Sequence, residues 1–350
     1  VPKPPPDSES RPRYRRWLAL SVALAVAAIV AAVGYTTWRL TAAPLPATAG
    51  GVVFTVKRGE NVERLSHRLA ARGVLAHAWD LELLARVLGD AGRVRAGEYR
   101  VDGAMSVAGL LRMLVAGQVL MHSFTIVPGT TFSEVRTRLE ADDAFADDIK
   151  HLGPAQVARL IGHPGESPEG RLLPDTYDFP RGTPDTTVLK RAWDAMQKTL
   201  DTLWSQRGVG LPYKTPAQAL ILASIVEKET ALPSERPLIA GVFVRRLQRD
   251  MHLDADPTVI YGLGPGFDGD ITRADLHRAT PYNTYVHRGL PPTPICMPGT
   301  AAIEAALHPA PGTALYFVAR GDGSHVFSDT LAEQQKMIRK YQLHQGSAPP

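Results

Sequence analysis

Between Arg16 and Arg39 the chain carries no charge, and the run from Trp17 to Trp38 reads WLALSVALAVAAIVAAVGYTTW. Nothing else in the sequence restricts the fold as tightly. A stretch this apolar matches the ~20 residues needed to cross about 30 Å of hydrocarbon, where only a helix satisfies its own backbone. Trp17, Tyr35 and Trp38 stand at its ends, where interfacial aromatics belong. Lys3, Arg11, Arg13, Arg15 and Arg16 precede it, so residues 1–16 are expected as a cytoplasmic tail and everything after Trp38 outside. The competing reading is a cleaved signal peptide, since Ala47-Thr48-Ala49 has the small residues of a cleavage site. A signal peptide's apolar region is shorter, typically ~7–15 residues. We therefore read 17–38 as an uncleaved anchor and 39–51, rich in Ala, Pro and Gly, as a short linker to the domains beyond.

At 44% hydrophobic and 21% charged residues, the 350-residue chain has globular composition and room for two or three domains. The net charge of +4 owes much to the extreme N-terminus. No basic block with interleaved aromatics follows, so a nucleic-acid partner is not expected. The single cysteine, Cys296, excludes an intramolecular disulfide framework and a cysteine-based zinc site. Its surroundings, TPICMPG, offer neither a helix N-terminus nor a nearby cation, so it reads as a buried or loop residue and not a reactive thiol.

Beyond the linker, VVFTVK (52–57) is β-branched and aromatic and predicts a strand. Val62, Leu65 and Leu69 recur at helical spacing up to Gly73, and AWDLELLARVLG predicts a second helix ending at Gly89. AGEYRVDG predicts a closing strand. This strand–helix–helix–strand order, opened by FTVKRGENVERLSHRLAARG, resembles a LysM sugar-binding module. A further helix (SVAGLLRMLVAGQ), a strand (HSFTIVPG) and a helix (TFSEVRTRLEA) follow. The polar segment 141–166 is expected to form a peripheral helical lobe. From about residue 169, Pro, Gly, Tyr and Asn become dense, the texture of loops that carry binding and chemistry.

Within that region AQALILASIVEKET (217–230) stands out. Thr215, Pro216 and Gln218 predict a capped start with a capping box. Ser234 is expected to cap the next helix. Both faces are apolar before Glu227, Lys228 and Glu229, and a helix apolar all round is a buried one. Its last turn emerges either into water or into a cleft. At 100° per residue, Glu227 shares a face with Ala223 and Ser224, whose small side chains leave room for a ligand. Desolvation there raises a carboxyl pKa and suits it to proton donation. Glu227 is thus the candidate acid, with Ser224 lining the same space, and Glu229 is read as pairing elsewhere or facing water. His252, Asp254 and Asp256 alternate as strand ligands would, but the same residues read as a turn opened by Asp256-Pro257, and no metal or cofactor is expected. Glu169, Tyr282, Asn283 and Tyr285 read equally as sugar contacts or as loop-packing residues.

EGRLLPDTY, ASIVEKET, DPTVIYG, PYNTY, GLPPTPICMPG and YFVARGDGSHVFSDT, in that order, resemble the endolytic murein transglycosylase family, MltG or YceG-like, over about 52–340. The resemblance implies an α+β chain: a single N-terminal transmembrane helix, a LysM-like βααβ subdomain (52–120) and a mixed α+β catalytic domain (121–340), with 341–350 a disordered tail. It implies a bacterial inner-membrane enzyme whose extracytoplasmic domain cleaves MurNAc–GlcNAc bonds of nascent peptidoglycan strands and leaves 1,6-anhydroMurNAc ends. Glu227 matches the family's catalytic glutamate. Glu169, Ser224, Asp256, Tyr282, Asn283 and Tyr285 are expected against the glycan. One carboxyl suffices as acid and then base, because the MurNAc 6-hydroxyl is an intramolecular nucleophile. Peptidoglycan glycan strands, the bilayer and cell-wall synthases (penicillin-binding proteins) are the implied partners. The alternative is a non-catalytic peptidoglycan-binding scaffold for those synthases.

Overall fold

The computed structural model describes residues 11–46 and 51–342, and the chain divides into two compact units after Met121. Most of the expected cytoplasmic tail (1–16) and of the expected disordered tail (341–350) lies outside the described residues, as do linker residues 47–50.

The first unit opens with α1 (Arg11–Thr41), whose stretch 15–41 is long and apolar enough to cross a membrane. Then come β1 (Val52–Val56), α2 (Val62–Ala71), α3 (Ala78–Val87), β2 (Gly97–Val101) and α4 (Val107–Ala116). β1 and β2 pair antiparallel with Phe54 opposite Tyr99, their rings stacked 5.9 Å apart. Asn61 caps α2 by accepting from the Arg64 amide at 2.9 Å, and the helix buries Val62, Leu65 and Leu69, the positions its periodicity marks. The linker expectation is corrected here. α1 runs on to Thr41, and Leu40 and Leu45 are buried in the same core as Leu65, Leu81 and Leu110. Arg39 donates to the Asp80 carboxylate at 2.6 Å, and the Leu45 amide donates to the Met105 carbonyl at 2.8 Å. Two leucines with apolar helices beside them gain more from burial than from tether freedom. Up to Leu45 the chain is therefore part of the fold.

The second unit begins with β3 (Met121–Thr125), α5 (Phe132–Glu140), β4 (Phe145–Ala146), α6 (Pro154–Leu160), β5 (Thr176–Pro180), β6 (Thr183–Pro184) and α7 (Asp185–Ser205). β3 pairs with β5, and β4 pairs in parallel with β6. The polar segment 141–166 is not peripheral. Ala144, Phe145, Ile149, Val157 and Ile161 are buried in one core with Phe124, Phe179 and Trp193, and Phe145 stacks on Phe179 at 4.0 Å between centroids. Its acids face outward while every few residues an apolar one turns in.

α8 (Pro216–Glu229), α9 (Arg236–Gln248), α10 (Asp256–Leu263), α11 (Arg273–His277) and α12 (Thr300–Leu307) follow, then the antiparallel pair β7 (Tyr316–Ala319) and β8 (His325–Ser328), and α13 (Leu331–Tyr341). Every residue of α8 from Ala219 to Val226 is buried, and α7, α9, α10 and α12 surround it. Thr215 accepts from the Gln218 amide as expected, but the Gln218 side chain accepts from the Lys214 amide, so only half of the predicted capping box forms. Ser234 does not cap α9. Glu235 occupies the cap position without a side-chain bond to the helix, its carboxylate being taken by His325.

Gly170 packs closely against Pro294 and the Cys296 carbonyl. Its φ is +74°, and a Cβ there would lie 2.3 Å from Pro294 Cβ. Gly170→Ala is therefore expected to destabilise the fold by about 1–3 kcal/mol, seen as a lower midpoint in urea denaturation followed by tryptophan fluorescence.

Candidate active site

The C-terminal turn of α8 divides its two acids. They are two residues apart, about 200° around the helix, and meet different surroundings. The Glu227 side chain is only 7% exposed. One oxygen accepts from the Gly299 amide at 2.9 Å and the other pairs with Arg236 at 3.4 Å. Gly299 is the N-cap of α12 and Arg236 the first residue of α9. Glu227 thus ties three helices together and supplies an anion at the positive end of α12. The room expected beside Ala223 and Ser224 is filled by residues 294–299. The Ser224 hydroxyl donates to the Ile221 carbonyl at 2.7 Å and accepts from the Ile295 amide at 3.0 Å. Cys296 is buried and donates to the Ser224 carbonyl at 3.3 Å, and burial pushes its thiol up. Ser224 and Glu227, both expected at the cleft, therefore face the interior. Lys228 is exposed and reaches the Gly129 carbonyl at 3.3 Å.

Glu229, expected to pair or face water, instead lines an open cavity of about 430 Å3 with Asp256, Tyr285, Arg246, His325 and Gln334. Burial first, and then the charge of Asp256, push its carboxyl up to about 8, against the opposing pull of Arg246. The Arg246 guanidinium is already committed. It donates to Asp254 at 2.8 Å and to the carbonyls of Leu253 at 2.9 Å and Leu315 at 2.6 Å. Arg246 therefore stiffens the cavity wall and leaves Glu229 without a direct ion pair among the described residues.

The loop 252–256 is not a strand. Asp254 has φ +51°, and Asp256 is the first residue of α10. Tyr285 donates to Asp256 at 2.6 Å, which orients that carboxylate and spreads its charge. Thr284 accepts from the Ala255 amide at 3.1 Å and its hydroxyl meets that of Thr258 at 2.9 Å, pinning the start of α10 to the PYNTY loop. On the opposite wall Glu235 holds His325 at 2.7 Å. Burial pushes the Glu235 carboxyl up, but the hydrogen bonds and charge of His325 outweigh it and leave it below its usual range.

Asn283 is fully buried. Its amide donates to the carbonyls of Asp275, Leu276 and Arg278 at 2.8–3.2 Å, and its oxygen accepts from the Tyr285 amide at 2.9 Å. Its amide hydrogens are thus all turned to carbonyls of its own loop. Tyr282 bonds Thr293 at 2.9 Å and meets Tyr261 edge to face at 4.7 Å. Glu169 belongs to a separate cavity of about 260 Å3, lined also by Phe132, Ser133, Arg136 and Tyr261. It accepts from the Phe132 amide at 3.1 Å and from the Tyr261 hydroxyl at 3.1 Å, and burial pushes it up to about 7 despite these bonds.

Of the expected site residues, then, the structure brings Asp256 and Tyr285 together, sets Glu169 and Tyr282 on either side of Tyr261, and engages Glu227, Ser224 and Asn283 in hydrogen bonds with other protein groups. It adds Glu229, Arg246, His325 and Gln334. His325 lies in YFVARGDGSHVFSDT, a motif visible in the sequence, whereas Arg246 and Gln334 have no local signal.

The YceG-like family matches residues 54–340. This chain belongs to that family. A relative from Bacillus subtilis (strain 168) named endolytic murein transglycosylase is 29% identical over 311 residues, 83% of this chain and 84% of its own length. One of the same name from Streptococcus pneumoniae (D39) is 28% identical over 77% of this chain, which spans only 54% of that protein. The crystal structure of a protein described as yceG-like, from Listeria monocytogenes, superposes with a TM-score of 0.53 at 28% identity, covering 82% of this chain and 98% of that one. The family thus carries this mixed α+β architecture.

Protonation of Glu229 couples to stability. Its carboxyl rises from an ordinary 4.5 to about 8, so the folded chain holds a proton that the unfolded chain releases between those values. That contribution is complete below about pH 4.5 and is lost as the pH climbs through about 8. Glu169, raised to about 7, acts with the same sign. Glu229→Gln should flatten the fall in urea midpoint between pH 5 and pH 9. An unchanged slope in that variant would place the proton elsewhere.

Proposed function

We propose that this protein is a membrane-anchored endolytic murein transglycosylase with Glu229 as its proton carrier. One observation carries the reading: a carboxyl at the mouth of a buried helix, protonated near neutrality, opens into a polar cavity beside Asp256 and Tyr285. Glu227 is a weaker candidate, because its two oxygens are occupied by Gly299 and Arg236.

The chemistry then needs only this chain's own groups. Glu229 gives its proton to the oxygen linking MurNAc C1 to GlcNAc, and that C1–O bond breaks. Positive charge develops on the MurNAc ring, and the Asp256 carboxylate, oriented by Tyr285, stabilises it through space. The MurNAc 6-hydroxyl attacks C1 and returns its proton to the Glu229 carboxylate. A 1,6-anhydroMurNAc end and a free GlcNAc 4-hydroxyl result, and the acid is restored without water. A hydrolase of the two-carboxyl type would need its second acid to position water. Here Asp256 serves charge instead.

The names of the relatives support murein as substrate class. The apolar run of α1 and its basic N-terminal flank support a single-pass anchor with the catalytic unit outside the cytoplasmic membrane. The strand–helix–helix–strand order of the first unit supports a LysM-like role beside the glycan. Strands emerging from membrane-bound synthases fit an enzyme held at the membrane.

The test uses the full chain in proteoliposomes with purified glycan strands, and mass spectrometry of the new ends. Wild type should yield anhydroMurNAc ends, and Glu229→Gln should slow cleavage by roughly 100- to 10,000-fold. Glu227→Gln should cleave with the same chemistry but lose stability, since Arg236 is left unpaired at a cost of about 1–3 kcal/mol. The opposite pattern would return the role to Glu227. Equal cleavage by wild type and both variants would remove both acids from the mechanism, and reducing ends would make the enzyme a hydrolase.

A further inference from the structure

α3 turns an apolar face away from its own domain. Leu81 and Ala85 are fully buried in the core, yet Val87 is 73% exposed and Leu88 57%, with Trp79 and Leu83 also bare. Large exposed apolar groups on one element mark an interaction surface. These lie beside α1. A groove of about 440 Å3 runs between the two helices, walled by Ala32, Val33 and Thr36 of α1 and by Leu83, Leu84 and Val87 of α3. The threonines on the α1 side do not make it polar. The hydroxyls of Thr36, Thr37 and Thr41 donate to the carbonyls of Ala32, Val33 and Thr37 at 2.7–2.8 Å, and so spend their only donors on their own helix.

The depth of the groove follows from α1. Trp38 marks the outer interface of the apolar run, and Ala32 lies six residues before it, roughly 9 Å further in at 1.5 Å per residue. At the rim Arg39 stacks over the Trp79 ring at 4.4 Å while pairing with Asp80. An arginine and a tryptophan together are what a membrane–water boundary selects. Arg39, Leu40 and Leu45 tie α1 into the first unit, so α3 cannot leave this level without breaking the core.

We propose that the α1–α3 groove is a lipid seat: phospholipid acyl chains of the outer leaflet fill it, and Leu83, Val87 and Leu88 are immersed beside them. This rests on the reading of α1 as a membrane anchor. It goes beyond that reading by making an extramembrane helix a second, laterally inserted contact with the bilayer.

The full chain is reconstituted in vesicles of phosphatidylethanolamine and phosphatidylglycerol, with single nitroxide labels at Ala25→Cys, Glu63→Cys or Val87→Cys. Cys296 is buried and stays unlabelled. Collisions with oxygen, which concentrates among acyl chains, are compared with collisions with a water-soluble nickel chelate. Positions 25 and 87 should favour oxygen and position 63 nickel, a reversal of the ratio. If 87 favours nickel while 25 favours oxygen, the lipid seat is wrong and the anchor stands. Nickel preference at 25 would defeat the anchor and the seat together. Protection of 87 from both reagents would mean that protein closes the groove, and oxygen preference appearing only after polyprenyl phosphate is added would assign it to a different lipid. Either result overturns the proposal.

Discussion

The burial of α8 around its whole circumference is the constraint from which the second unit is built. A helix with no wet face has no freedom to rotate, so the azimuth of every residue in its last turn is set by what surrounds it. Its C-terminal turn must also satisfy two acids in very different ways. Glu227 resolves its charge by joining the N-terminus of α12 and the start of α9. Glu229, on the other side, faces the charge of Asp256 and an arginine already committed elsewhere. Because the helix is fixed, the ion pair on one side also positions the desolvated acid on the other.

Much of the architecture was legible in local pattern. The long apolar N-terminal helix, the periodicity of α2, the glycine stops after α2 and α3 and the Thr215-Pro216 start of α8 depend on neighbours a few residues away, and those stand where expected. The roles of Glu227 and Glu229 depend on partners far along the chain. Periodicity gave their angular separation, but the reading that small residues leave space assumed that nothing filled it. Residues 294–299 do, and they lie about seventy residues downstream. Asn283 illustrates the same limit. Side chains suited to sugars are equally suited to carbonyls of their own loop, and only the folded loop shows that three carbonyls have taken the amide. In segment 141–166 the average polarity concealed the turning-in of Phe145 and Ile149.

The raised carboxyls of Glu169 and Glu229 have different physical characters. Glu169 is enclosed and bonded, its pKa a balance between burial and the hydrogen bonds of Phe132 and Tyr261. Such a group shapes a wall and holds α5 by its first amide. Glu229 is raised by burial and by a neighbouring charge, and among the described residues its oxygens accept no hydrogen bond. A shifted pKa alone would not separate them; the unoccupied hydrogen-bonding capacity does.

α1 passes from its apolar run into the first unit without a break, and at 31 residues it is roughly 46 Å long. Under the proposed anchoring, its apolar run 17–38, about 33 Å long, answers a change in the roughly 30 Å hydrocarbon layer by tilting. With Leu40 and Leu45 buried and Arg39 paired, there is no swivel between rod and subdomain. Any tilt of the helix is then a tilt of the subdomain by the same angle, so under the proposed anchoring bilayer thickness would be a mechanical input to this part of the protein.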